Sequence, residues 1–103
     1  MPSMEKDYYI FVYGTERLPV GLDVIDDEIF RRIEGQGEVF GTGTGIDGWN
    51  LDLHFESAAS RNFVLRETVN VLLAHGLSDG VSFDINGTRV SLSELESHFG
   101  GAE

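Results

Sequence analysis

Residues 49–56 read WNLDLHFE, and the alternation is unbroken. Successive side chains on a strand point to opposite faces. Trp49, Leu51, Leu53 and Phe55 therefore share one side, and Asn50, Asp52, His54 and Glu56 share the other. The stretch predicts a half-buried antiparallel strand with a wet, acidic outer face. Directly before it, Gly41-Thr-Gly-Thr-Gly-Ile-Asp-Gly48 closes a second predicted strand, residues 38–44. The glycines predict a twisted or bulged hairpin in which positive φ and the lack of a side chain relieve crowding.

Further out on the N-terminal side, residues 23–34 predict a helix. Ile25, Ile29, Phe30 and Ile33 recur at helical spacing, and Asp26 is the expected N-cap, with Asp27 and Glu28 in the first turn. Arg31 and Arg32 fall near the expected end, and Gly35 is the stop. Residues 8–13 (YYIFVY) are aromatic and β-branched, which predicts a strand. It is nearly apolar on both faces and so belongs in the middle of a sheet. Between these two elements residues 15–21, with Pro19, read as a loop holding a short edge strand at residues 18–20.

On the C-terminal side, residues 57–75 predict the longest helix, capped by Ser57 or Ser60. Phe63, Val69, Leu72 and Leu73 form its buried side with Leu65 nearby, and Gly76 ends it. Asn86-Gly87 between two β-rich runs is a strong hairpin signal. Ser91 and Glu94 have the spacing of a capping box, which predicts a short helix over residues 92–99 anchored by Leu95 and Phe99.

The expected fold is thus one α+β domain over residues 1–103, with residues 1–6 and 100–103 frayed. Its first six elements run β-α-β-β-α-β, the ferredoxin-like split βαβ plan, extended by a C-terminal hairpin strand and short helix. That plan leaves the sheet face opposite the helices open, or covered by a partner.

Charge narrows the function. Seven basic residues face eighteen acidic ones, for a net charge of −11. Such a chain repels phosphate backbones and anionic lipid, so neither direct nucleic-acid binding nor a membrane partner is expected. A basic protein partner, found by electrostatic steering, is. With no cysteine, there is no disulfide framework, thiolate zinc site or cysteine nucleophile, and a reducing, cytoplasmic setting is expected. The polar residues 1–6 lack the apolar run of a signal peptide.

The catalytic motifs are weak. Gly43, Gly45 and Gly48 spell G-x-G-x-x-G, but a strand follows where a dinucleotide site needs a helix. Asp52, His54 and Glu56 share a strand face and are candidate metal ligands, yet neighbours along one face lie ~6.6–7 Å apart. Metal ligands converge at ~2.0–2.6 Å from one ion. His75 and His98 sit where helix C-termini favour a cation, and Ser57, Ser60 and Ser91 read as caps. Tyr8, Tyr9, Phe11 and Tyr13 suggest a base-stacking platform, but the basic pattern of such platforms is missing and sheet packing accounts for them. No catalytic residue and no cofactor is expected.

Residues 38–56, EVFGTGTGIDGWNLDLHFE, resemble a pattern in small bacterial α+β proteins that look like immunity proteins of toxin systems: a glycine-rich turn, an aspartate-bearing strand, then a helix. The resemblance implies a tight inhibitor whose acidic residues block a basic toxin or nuclease. The leading expectation is therefore an acidic protein-binding module using Asp26, Asp27, Glu28, Asp47, Trp49, Asp52, His54 and Glu56, with Trp49 as a partly buried anchor. Two other readings stand beside it. One is a small metal- or ligand-binding protein using Asp52, His54, Glu56 and the turn from Gly41 to Gly48. The other is a subunit that forms a homodimer through the open sheet face.

Overall fold

A computed structural model describes residues 9–15, 17–77 and 80–99. The expected frayed ends lie outside them. The elements run β1 (Tyr9–Gly14), α1 (Leu22–Ile33), β2 (Gly37–Gly45), β3 (Gly48–Phe55), α2 (Ala58–Ala74), β4 (Val81–Ile85), β5 (Thr88–Ser91) and α3 (Leu92–Phe99). The fold is α+β: one five-stranded antiparallel sheet in the order β2-β3-β1-β4-β5, with three helices. β1 takes the central position that its apolar sequence predicts.

The alternation at Trp49, Leu51, Leu53 and Phe55 buries all four against the helices. Register carries this face across the sheet. Ile10 pairs with Leu53, Val12 pairs with Leu51 and also with Phe83, and all are fully buried. Ile25, Ile29 and Ile33 of α1 join them, as do Val64, Leu65, Val69, Val71 and Leu72 of α2 and Leu92 and Leu95 of α3. Burying each large side chain contributes ~1.5–3 kcal/mol.

Most helix signals are realised. Ser57 Oγ accepts from the Ser60 amide at 3.3 Å and caps α2. At its other end Leu77 N–H donates to Leu72 O and Gly76 N–H to Leu73 O, with Gly76 at φ 82°. This paired pattern satisfies carbonyls that a helix end leaves open, and needs the left-handed backbone glycine tolerates. Asn86 (φ 54°) and Gly87 (φ 83°) make the tight β4–β5 turn. Ser91 and Glu94 form the capping box reciprocally: the Ser91 amide donates to Glu94 Oε1 at 3.0 Å, and the Glu94 amide to Ser91 Oγ at 3.1 Å.

Several local expectations are corrected. Asp26 is not an N-cap. α1 begins at Leu22, and its N-cap, Gly21, supplies no side-chain bond, so Asp23 is the first-turn acid. Asp26, Asp27 and Glu28 lie further into the helix. Phe30 stays exposed, because the fully buried stripe of α1 is Ile25, Ile29 and Ile33, with Leu22 packed partly against the core. On α2, Phe63 and Leu73 are only partly buried, while Val64, Thr68 and Val71 turn inward. No strand forms at residues 18–20. Of the glycines in the β2–β3 run, Gly48 alone has positive φ (147°).

Candidate functional site

The core takes one face of the sheet, and among the described residues no element covers the other. The register sorts its side chains into cross-strand rows. One row is Glu38, His54 and Tyr9. The next is Gly41, Asp52, Phe11, Asp84 and Arg89, and the third is Gly43, Asn50, Tyr13, Ser82 and Ser91. Directly opposed side chains on one face have Cβ atoms ~4.5–5.5 Å apart, so each row is a line of neighbours.

Tyr9, Phe11 and Tyr13 give this face an aromatic spine. They were expected to be consumed by packing; instead Tyr9 and Phe11 are half-buried and Tyr13 is exposed. An irregularity between Val39 and Gly41 shifts the β2–β3 register at Phe40. Phe40, 49% exposed, meets Tyr9 edge-on with ring centroids 5.0 Å apart. Tyr9 also lies 6.3 Å from Phe11, nearly parallel, and 4.9 Å from the His54 ring.

Glycine keeps the β2 side of the face low. A Cβ at Gly41 would come within 3.0 Å of Asp52 Oδ2, and one at Gly43 within 2.8 Å of Asn50 Oδ1. These glycines make room for neighbouring side chains rather than supply positive φ. Asn50 Nδ2 donates to Asp52 Oδ1 at 3.2 Å, which orients the carboxylate over β2. A cleft of about 440 Å³ opens at the turn end, lined by Tyr13, Gly43, Asp47 and Asn50 among others.

The opposite edge of the face carries its own cation. Arg89 sets its guanidinium carbon 4.7 Å from the Tyr13 ring centroid, and its Nη1 donates to Ser82 Oγ at 3.4 Å. Asp84, across from Arg89, is taken up by the turn, where its Oδ1 accepts from the Gly87 amide at 2.9 Å.

The residues expected to form one binding surface are therefore split. Asp52 and His54 lie on the open face, exposed Glu56 lies just beyond β3, and exposed Asp47 lies in the turn. Trp49 is a correction: it is only 7% exposed, points toward the helices and packs its indole on Gly14, so it is no surface anchor. Asp26, Asp27 and Glu28 belong to the helix layer. Asp27 pairs with Arg31 at 3.1 Å. Glu28 pairs with Arg32 at 3.5 Å and with His75 Nε2 at 3.0 Å, and these partners hold its carboxyl below the ordinary range, the His75 hydrogen bond foremost. Asp26 is pushed up, chiefly by burial and then by the charges of Asp27 and Asp23.

Among the described residues no group of three or more His, Asp or Glu side chains is placed to hold a metal ion, so Asp52, His54 and Glu56 do not converge on one. No helix among the described residues is long and apolar enough to cross a membrane. Sequence reasoning missed Glu38, Phe40 and Arg89 as parts of the face. The alternation of β4 and β5 about the Asn86-Gly87 turn offered a signal for Arg89; the glycine run predicts a bulged hairpin, and the register shift falls at its first glycine, between Val39 and Gly41, but the run does not mark Phe40 as the residue displaced. No family, curated protein or solved structure matches this chain.

Proposed function

We propose that the chain is a non-enzymatic binding module whose open sheet face docks a basic segment of a protein partner. The row of Phe40, Tyr9, Phe11 and Tyr13 on a face left uncovered by the described elements carries this reading. Aromatic side chains offer large contact area at low entropic cost and dominate binding hot spots. Glu38 and Asp52 beside them, on a chain of net charge −11, favour a cationic partner. A basic toxin or nuclease is the partner class that this charge and the sequence resemblance favour, and the chain would inhibit it by occlusion in the cytoplasm. We read the β1–β4 portion as the split βαβ plan of a ferredoxin-like domain. The order β2-β3-β1-β4, with β1 between β3 and β4, supports this, and β5 is then an addition at the edge.

The test is affinity capture from the source lysate at low and high salt, using the native chain, an Asp52→Lys/Glu56→Lys variant and an Asp27→Asn control. The expected result is one basic protein in near-equal amount, weakened by salt, lost from the charge-reversed variant and retained by the control. A basic protein held equally by all three, or none at either salt, overturns the reading.

A further inference from the structure

The two edges of the open face differ, and the difference specifies a ligand. On the β4–β5 side an aromatic ring already holds a guanidinium: Arg89 lies over Tyr13, and its cross-strand partner Asp84 is committed to the hairpin turn. On the β2–β3 side rings and carboxylates are both present. Tyr9, Phe11 and Phe40 cluster within 5.0–6.3 Å of one another through Tyr9. Glu38 is in the Tyr9 row and Asp52 pairs directly with Phe11. Neither carboxylate forms an ion pair with a described residue; the one side-chain bond of Asp52 comes from the neutral Asn50 amide. Gly41 leaves room for the carboxylate of Asp52 beside β2, since a Cβ there would come within 3.0 Å of Asp52 Oδ2, and Phe40, the residue before Gly41, is 49% exposed.

We propose that this corner, formed by Phe40, Tyr9 and Phe11 with Glu38 and Asp52, is a binding site for an arginine side chain of the partner. The proposal rests on the open-face reading and deepens it. A guanidinium is planar and weakly hydrated, so it can lie flat on a ring while its edge donates to a carboxylate. A lysine ammonium is a compact, strongly hydrated point charge and uses the rings less well. Neighbours within a row lie ~4.5–5.5 Å apart and successive rows ~6.6–7 Å, so an arginine lying across Tyr9 and Phe11 has Asp52 one position away, while Glu38 stands two positions from Tyr9, beyond His54, at the outer end of its row. Charge-assisted bonds of this kind are roughly twice as strong as neutral ones. The arrangement reproduces at the β2–β3 edge what Arg89 and Tyr13 already form at the other.

The experiment is an NMR titration of the full chain with a tetra-arginine peptide and, separately, a tetra-lysine peptide, following backbone amides and aromatic ring resonances. Tetra-arginine should shift the rings of Tyr9, Phe11, Phe40 and His54 saturably and bind several-fold tighter than tetra-lysine. Phe40→Ala and Asp52→Asn should each weaken it about fivefold. Both sites are at the surface, so an unchanged thermal midpoint will verify folding. Asp27→Asn, on the helix side, should leave affinity unchanged. Equal weakening by Asp27→Asn would mean diffuse charge attraction and overturn the site. Equal affinity for tetra-lysine at this corner would overturn the arginine assignment while leaving the basic-partner reading standing. The same ring shifts produced by concentrating the free chain would assign the corner to a second copy and overturn both readings, as would no shift on the open face with either peptide.

Discussion

Trp49 lays its indole where a Cβ on Gly14 would stand, across the β1–β3 pair that matches the two residues. Gly14→Ala therefore forces a buried ring to move and should cost ~1–3 kcal/mol, as overpacked cores do. Gly43→Ala meets only the Oδ1 tip of Asn50, a flexible side chain on the open face, and should cost less than ~0.5 kcal/mol. Urea unfolding of both variants checks the contrast. Equal losses would mean that the two glycines are held by the same constraint.

Glu28 joins α1 to the end of α2 through His75. Its carboxyl titrates below its ordinary value in the folded chain, mainly because of that hydrogen bond. A depressed carboxylate contributes stability that is present above the unfolded value and is lost as pH falls through the folded value. Glu28→Gln should therefore lower the thermal midpoint near neutral pH, with a cost of up to ~1 kcal/mol for so solvent-touched a pair. The difference should shrink as the solution is acidified below the ordinary Glu range. Midpoints measured from pH 7 down to pH 3 would show this; a gap that persists in acid would argue that the contact acts through packing rather than charge.

Asp26 has the opposite sign. Burial, with Asp27 and Asp23 nearby, raises its pKa, so the folded chain carries a penalty for the charged form at neutral pH. That penalty is present above the folded value and is relieved as pH falls through it toward the unfolded value. Asp26→Asn should stabilise the chain near neutrality by about 0.5 kcal/mol, the scale of surface substitutions, and the gain should fade in acid. A destabilised variant would mean that the carboxylate makes a favourable contact outweighing its burial.

Arg89 is the one cation the described open face supplies for itself. Arg89→Ala should change stability by no more than ~1 kcal/mol, the value of an exposed cation–π contact. It also makes the face more negative, so association with a basic protein should be faster at low salt, with the gain lost at high salt. Stopped-flow association at two ionic strengths reads both effects, and slower association would place Arg89 in direct contact with an anionic group of the partner.

The sequence by itself determined the elements and their order. Alternation from Trp49 to Phe55, the Asn86-Gly87 turn, the Ser91–Glu94 box and the stops at Gly35 and Gly76 act within a few residues, so each is complete in its own stretch of chain. The span of α1 agrees within one residue of the expected 23–34, but its N-cap does not: three consecutive acids resemble a first turn, whereas the cap is Gly21 and Leu22 is packed against the core. Tertiary structure alone decided how the faces were used. Tyr9, Phe11 and Tyr13 carry large aromatic rings that a core could also bury, and only the placing of the described helices on the other side leaves them uncovered. The register shift at Phe40 depends on how β2 meets β3, and the neighbourhood of Glu38 and Asp52 to the rings depends on two cross-strand pairings. Those contacts join residues far apart in sequence, so no local pattern carries them: the chain specifies each strand, and only the sheet specifies which side chains become neighbours.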